Sequence, residues 1–177
     1  MIILPTPAWS TATAELFMLT PGDVSEDYVS WLNDSYVNRY LESRFQTHTL
    51  ESTRAFVTDC ITSDHALLFG IRHPSKGRHI GNIKLEINKH HRLGEVGILI
   101  GDRQVHGKGI GSQAIRVLAG IARDELGLRK LTAGCYASNK ASERSFVKAG
   151  FFVEGRRRDH FLATEGSEDL ILMGLML

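Results

Sequence analysis

The stretch from Asp102 to Gly127 reads DRQVHGKGIGSQAIRVLAGIARDELG, in which three glycines and a lysine run straight into an apolar-periodic segment. A glycine-rich turn that opens a helix leaves backbone N–H groups bare beside the positive end of the helix dipole. Such an arrangement holds phosphate. Spacing excludes two of the phosphate motifs. The P-loop needs four residues between its first glycine and the Gly-Lys pair, then a hydroxyl. Here five residues separate Gly101 from Gly107, and Gly109 stands where the hydroxyl belongs. The dinucleotide fingerprint fails as well: after Gly107-Lys108-Gly109, Gly111 comes one place early and Ser112 takes the position of the third glycine.

Periodicity supplies the elements that must position this loop. Ala14 to Leu19 reads as a strand closed by Thr20-Pro21-Gly22, and Ser25 as the N-cap of a helix through Trp31-Leu32. A second helix runs from about Leu50 to Ile61, with Phe56, Val57 and Cys60 on one side. Ala66 to Arg72, His79 to Ile87 and Glu95 to Ile100 form a strand meander, separated by the turn-rich segments HPSKGR and NKHHRLG. Ile110, Ala114, Val117, Leu118, Ile121, Ala122 and Leu126 mark an amphipathic helix ended by Gly127. Lys130 to Tyr136 returns as a strand, and Asn139 to Ala149 as a short helix with Gly150 at its end. Phe151 to Val153 and Asp169 to Leu175 close the chain as strands. This order predicts an α/β protein: a mixed sheet with helices on both faces.

Bulk properties narrow the function classes. At 177 residues and 42% hydrophobic content, residues 1–177 are read as one domain able to bury a core without disulfides or metal. A formal charge of +1 does not mark a nucleic-acid or membrane-surface binder. Arg156-Arg157-Arg158 is the one dense basic run; with no aromatic-interleaved stripe beside it, it reads as a solvated strand end or loop. Cys60 and Cys135 lack C-x-x-C spacing and are expected as core thiols. The eight histidines are scattered, apart from adjacent His90-His91, and form no H-E-x-x-H, so no metal site is expected. The opening Met-Ile-Ile-Leu-Pro-Thr-Pro lacks a basic start, and no segment reaches the length of a membrane span. A soluble, cytoplasmic protein is expected.

Gln104-Val105-His106-Gly107-Lys108-Gly109 matches the pattern Q/R-x-x-G-x-G/A, directly after a strand and before a long helix. On these residues the chain resembles the GNAT superfamily of acetyl-CoA-dependent N-acetyltransferases. Three more blocks are similar to the family. Asn139-Lys140-Ala141-Ser142 followed by Lys148-Ala149-Gly150-Phe151 resembles its second cofactor-contacting helix. Glu95 to Ile100 resembles its splayed central strand, and the stretch from Gly155-Arg156 to Leu175 its closing hairpin, as in the branch with ribosomal-protein N-terminal acetyltransferases. The resemblance covers roughly Ala14 to Leu175 and is strongest from Ile80 to Phe151.

The resemblance implies the GNAT fold, a mixed, mostly antiparallel sheet of roughly six to seven strands flanked by about four helices. It implies acetyl-CoA as cofactor, with coenzyme A as product. Gln104, Val105, His106, Gly107, Lys108, Gly109, Ile110, Gly111 and Ser112 would wrap the pyrophosphate. His106 would act through its amide rather than its imidazole, and Lys108 either reaches a phosphate or points into solvent. Ile98, Leu99 and Ile100 would offer backbone groups to the pantetheine arm and the thioester carbonyl, and Asn139, Ser142 and Ser145 would touch the cofactor from the second helix.

Acetyl transfer to an amine needs a neutral amine, a polarised carbonyl and a proton for the departing thiolate. Glu95 is the first candidate base, directly or through a water, and Glu86 the second. A carboxylate in this role should be partly desolvated. The alternative is an ordinary exposed strand residue and an amine that arrives deprotonated. Many relatives carry a tyrosine seven residues after the asparagine to protonate the thiolate, but here that position is Phe146. The role passes to Ser142, Ser145, Tyr136 or water.

The acceptor side would be built from Trp31 to Asp34, Arg39 to Gln46 and His160-Phe161, with Glu86 nearby. The phrases WLND and HIGNIKL resemble amino-sugar acetyltransferases, which would set Trp31, Arg39 and Arg44 against the phosphates and rings of a nucleotide sugar. A protein N-terminus, a polyamine, or a module that binds coenzyme A without turnover are the alternatives. No nucleic acid and no membrane are expected as partners. The state is monomer or homodimer, with Leu170 to Leu177 either a buried strand or a pairing edge.

Overall fold

The computed structural model describes residues 9–75, 77–163 and 166–177. The opening heptapeptide and Lys76 of the HPSKGR turn lie outside the described residues. Strands β1 (Trp9–Ser10), β2 (Glu15–Met18), β3 (Ala66–Arg72), β4 (His79–Asn88), β5 (Leu93–Ile100), β6 (Lys130–Tyr136), β7 (Phe152–Ala163) and β8 (Gly166–Met176) are interleaved with helices α1 (Glu26–Asn33), α2 (Leu50–Thr62), α3 (Ile110–Asp124) and α4 (Lys140–Lys148). The strands form one sheet in the order β1-β2-β3-β4-β5-β6-β8-β7. Every neighbouring pair is antiparallel except β5 and β6.

Strand alternation sorts the core into two layers. Leu67, Phe69 and Ile71 of β3 join Ile115, Leu118 and Ile121 of α3 on one face. Leu68, between them, points to the other face and packs with Val29 and Leu32 of α1 and Val57 of α2. Helices therefore cover both faces, as the element order implies. Ser25 and Thr49 cap α1 and α2 by accepting from the N–H of Tyr28 (3.2 Å) and Ser52 (3.1 Å). Cys60 and Cys135 are free and buried.

Eight strands stand where the resemblance implies six or seven. The two-residue β1 is too short for alternation to reveal. The closing segment is one long hairpin whose outer strand, β7, runs well past Val153. As an edge strand β7 carries solvent-facing charges along its length, so its composition mimics a loop. The arginine run lies within β7, not at its end. A bulge at Arg158-Asp159-His160 interrupts the pairing, with Asp159 at φ +49°. Asp169 holds it, accepting from the Asp159 N–H (2.8 Å) and from Arg156. The Asp159 backbone donor foremost, then Arg156, keeps the Asp169 carboxyl below its ordinary range.

His79, at the start of β4, sits edge-on among Phe17, Tyr28 and Trp31. Its Nε2–H donates to Gly81 O and Asn82 Oδ1, both at 2.9 Å, and its Nδ1 is buried without a partner. Burial pushes its pKa below the usual 6.5. The folded state therefore binds fewer protons than the unfolded state between that lowered value and 6.5. The resulting stability is fully present above pH 6.5 and is lost as pH falls through the folded-state pKa. Urea unfolding at stepped pH should show this acid-side loss in the wild type and a shallower one in His79→Gln. Identical slopes would refute it.

Candidate functional site

The sheet opens where its one parallel pair ends. β5 and β6 are in register only at Leu93, Gly94 and Glu95, opposite Lys130, Leu131 and Thr132. Beyond that point β5 stays paired to β4 as far as Ile100 with Gly81, and β6 to β8 as far as Tyr136 with Leu170, so the two strands part. The gap continues into a cleft of about 1010 Å³.

Register decides which backbone groups face this gap. The N–H of Gly101 donates to Ile80 O (2.9 Å), so Ile100 and Gly81 form a non-hydrogen-bonded pair, and alternate residues of β5 turn their polar groups away from β4. Ile98 and Ile100 therefore present N–H and C=O to the gap, whereas Leu99 directs its own to β4. His106 Nε2 bonds to Ile100 O at 2.8 Å. The imidazole thus has a structural contact that the sequence reading did not assign to it.

At the head of the cleft, Gly107 (φ +75°) and Gly109 (φ +79°) adopt left-handed conformations. A Cβ at Gly107 would meet nothing within 4 Å, so glycine there leaves the backbone open to the cleft. Gly109 is the N-cap of α3 and offers no capping side chain, which leaves the first-turn N–H groups of Ile110, Gly111 and Ser112 without acceptors among the described residues. The buried Val105 anchors the loop, and Asp102 accepts from the N–H of Gln104 (2.9 Å). These bare amides and the open space over the glycines fit a diphosphate. The gap-facing backbone of Ile98 fits an extended amide-bearing chain laid along β5.

Most of the residues singled out from sequence come together here. Ile98, Leu99, Ile100, Val105, His106, Gly107, Gly109, Ile110, Gly111 and Ser112 line one bank, and Asn139, Ser142, Ser145 and Tyr136 the other, with Glu95 at the fork and Arg39 at the mouth. Asn139 caps α4, accepting from the N–H of Ser142 at 3.1 Å. Five do not line the cleft. Gln104 and Lys108 are exposed outside it. Trp31 packs behind β5 against Tyr28 and His79, so tightly that a Cβ on Gly101 would overlap its ring. Arg44 stands behind Tyr136, donating to its Oη (2.9 Å) and to Leu41 O (2.9 Å). Glu86 faces a separate shallow hollow of about 480 Å³ and is paired with Lys84 (2.6 Å).

The possible proton-transfer groups differ in how free they are. Glu95 is exposed, opposite Glu86 in register, and has no hydrogen-bond partner among the described residues. It is open to solvent rather than partly desolvated as expected for this role. Tyr136 stacks on Phe161 (centroids 3.8 Å apart) and donates a short hydrogen bond to Glu42. Burial first, and Glu42 second, raise its pKa, so the phenol stays protonated and engaged. Ser145 donates to Ala141 O (2.8 Å), whereas the Ser142 hydroxyl has no partner among the described residues. Phe146, at the tyrosine position of the family pattern, is buried edge-on against Phe151 at 5.0 Å. Cys135 also lines the cleft, but burial pushes its thiol up to about 11, so it is protonated at neutral pH.

The segment between α1 and α2 bridges the two banks. Tyr36 lies under the guanidinium groups of Arg39 (4.1 Å) and Arg103 (4.4 Å) and stacks near His106. Further along, Tyr40 Oη accepts from Ser138 Oγ (3.1 Å). Sequence reasoning missed Tyr36, Cys135, Arg144, Lys148 and Arg157 as lining residues. Only the Tyr36-x-x-Arg39-Tyr40 spacing hinted at the cation–aromatic cluster. Among the described residues, no three His, Cys, Asp or Glu side chains cluster as metal ligands, and no helix is long and apolar enough to cross a membrane.

A family model described as an acetyltransferase (GNAT) domain matches residues 15–152. The probable N-acetyltransferase YjcK of Bacillus subtilis (strain 168) is 33% identical over 116 residues, which span 63% of this chain and 64% of YjcK. The spermidine N-acetyltransferase of Vibrio cholerae, solved with CoA and spermine, superposes with a TM-score of 0.83 at 21% identity, covering 94% of this chain and 96% of its own. The ribosomal L7/L12 alpha-N-protein acetyltransferase RimL, solved with coenzyme A, gives 0.83 at 19% identity with the same coverage, 94% and 96%.

Proposed function

Since the chain belongs to the acetyltransferase (GNAT) family, we propose that it transfers an acetyl group from acetyl-CoA to a primary amine, releasing coenzyme A. The observation that carries this reading is the parting of β5 from β6 beside an uncapped, glycine-led helix N-terminus. The amides of Gly107 and of Gly109 to Ser112 hold the diphosphate, and the Ile98 N–H stabilises negative charge developing on the thioester oxygen. Acetyl-CoA supplies the activated acyl group. One sheet running from Trp9 to Met176 supports reading 1–177 as a single catalytic unit, acting as a monomer or homodimer.

The amine enters from the face covered by α1 and α2, between the segment around Arg39 and the Tyr136–Phe161 stack. Ser142, whose hydroxyl is uncommitted, donates to the departing sulfur in place of the tyrosine that Phe146 replaces. Glu95 takes the amine proton through water, since its exposure leaves it hydrated. Glu95→Gln should then lower kcat/KM most at low pH, where the amine is most protonated, and a superimposable pH–rate profile would remove Glu95 from this role.

Among acceptors, an amino sugar or nucleotide-linked amino sugar suits the cleft's arginines and stacked aromatic rings. A protein N-terminus or a polyamine is the second reading, supported by the RimL and spermidine N-acetyltransferase names among the fold neighbours. Thiol release from acetyl-CoA with amino sugars, peptides and spermidine, alongside calorimetric binding of acetyl-CoA, tests all three. Binding without thiol release from any amine would leave a coenzyme A-binding module.

A further inference from the structure

The acceptor half of the cleft has an uneven charge. Among the described residues, three carboxylates line the cleft: Glu42, Glu95 and Glu154. Glu42 is held by Tyr136 and lies 3.5 Å from Arg44, and Glu154 accepts from Lys130 at 2.6 Å. Both compensating cations stand outside the lining. Arg39 and Arg157 also line the cleft, are exposed, and pair with no carboxylate among the described residues.

Sheet register places Arg157 on the acceptor side, and stacking on Tyr40 places Arg39 there. Tyr136, Leu170 and Arg157 are consecutive partners across β6, β8 and β7, so their side chains share one face. Contacts of Tyr136 with Glu42 and Arg44 identify that face as the one covered by α1 and α2. Arg39 stacks over Tyr40 (4.9 Å), whose ring tilts against Tyr136 (5.5 Å), which in turn stacks on Phe161. The result is an aromatic wall with an unpaired arginine at either side. A polycationic acceptor would meet like charge there. A ring-bearing amine with its own negative group would find a stacking surface and forked donors.

From this arrangement we infer that the acceptor carries an anionic group, phosphate or carboxylate, besides its amine, and that Arg39 and Arg157 select for it. The inference rests on the transferase reading and deepens it. It also gives Arg157 a task that its place in a basic run concealed.

Matched amines separate the possibilities. Glucosamine 6-phosphate against glucosamine probes phosphate, serine against serinamide probes carboxylate, and spermidine is the cationic control. With coenzyme A present, calorimetry should show at least one anionic member binding about 10-fold or more tighter than its neutral partner, as expected for charge-assisted hydrogen bonds. Arg39→Ala and Arg157→Ala should each shrink that ratio about 10-fold, with partial recovery in Arg157→Lys. Equal binding within both pairs, a preference for spermidine, or a ratio untouched by either substitution would overturn the inference. Failure of the transferase reading is distinct: acetyl-CoA would bind nowhere, or no amine would release thiol, whatever the binding ratios.

Discussion

Gly109→Val should lower acetyl-CoA affinity by about 100-fold or more, measured calorimetrically, as expected from losing one or two charge-assisted backbone contacts. Gly109 sits at φ +79°, where a β-branched residue is strained, and it leads the α3 N-terminus. Inside the protein its Cβ would meet only Ser112 Oγ, at 4.0 Å. The fold has room for the side chain, but the left-handed backbone conformation disfavours it, and its methyl groups would stand in the open space proposed for the diphosphate. Thermal unfolding should show a modest loss, about 1–3 kcal/mol for a residue forced from a left-handed site. Unchanged affinity would mean that the diphosphate is held elsewhere.

Gly81→Ala should act by a different route and cost stability and turnover together. Its Cβ would overlap the Leu99 carbonyl and lie 3.0 Å from Ile100 Cα. Both obstacles are backbone, so no rotamer change relieves them and β5 itself must move. Overpacking of this kind costs about 1–3 kcal/mol. The displaced strand carries the gap-facing groups of Ile98 and Ile100, and misplacing such groups by about 1 Å can cost about 100-fold in rate. Gly120→Ala is the control. In the interior of α3, with nothing within 4 Å of the added methyl, it should stabilise by about 0.5–1 kcal/mol and leave turnover alone. Denaturant unfolding of both variants and turnover of the purified proteins check this pair. A Gly81→Ala protein as active as the wild type would show that β5 yields without moving its inner groups.

How far the site could be read before its geometry was known depends on how local each residue's task is. The loop from Val105 to Ser112 was legible because positive-φ glycines and an uncapped helix start leave their mark in the residues themselves. Helix α4 was legible for the same reason: Asn139 caps it three residues ahead of the N–H it accepts from. Trp31 and Arg44 misled because their residue types suit ring and phosphate recognition equally well in a cleft and just behind one. Trp31 was turned inward by Gly101, and Arg44 was drawn to Tyr136. Glu95 reads from sequence as a strand residue and lies in β5, but its exposure emerges only in the folded sheet.

Chain order, helix starts, the glycine cradle and family membership were determined by the sequence, since each is encoded by residues within a few turns of one another. Only the tertiary structure decided where β5 parts from β6, that Tyr136 is committed to Glu42 across 94 residues of chain, and that Arg157 of a solvated-looking run turns into the cleft. These depend on strand register and on a bulge in an edge strand. A shift of one residue in such pairing sends every side chain to the opposite face, and no local pattern in β7 records which face was chosen.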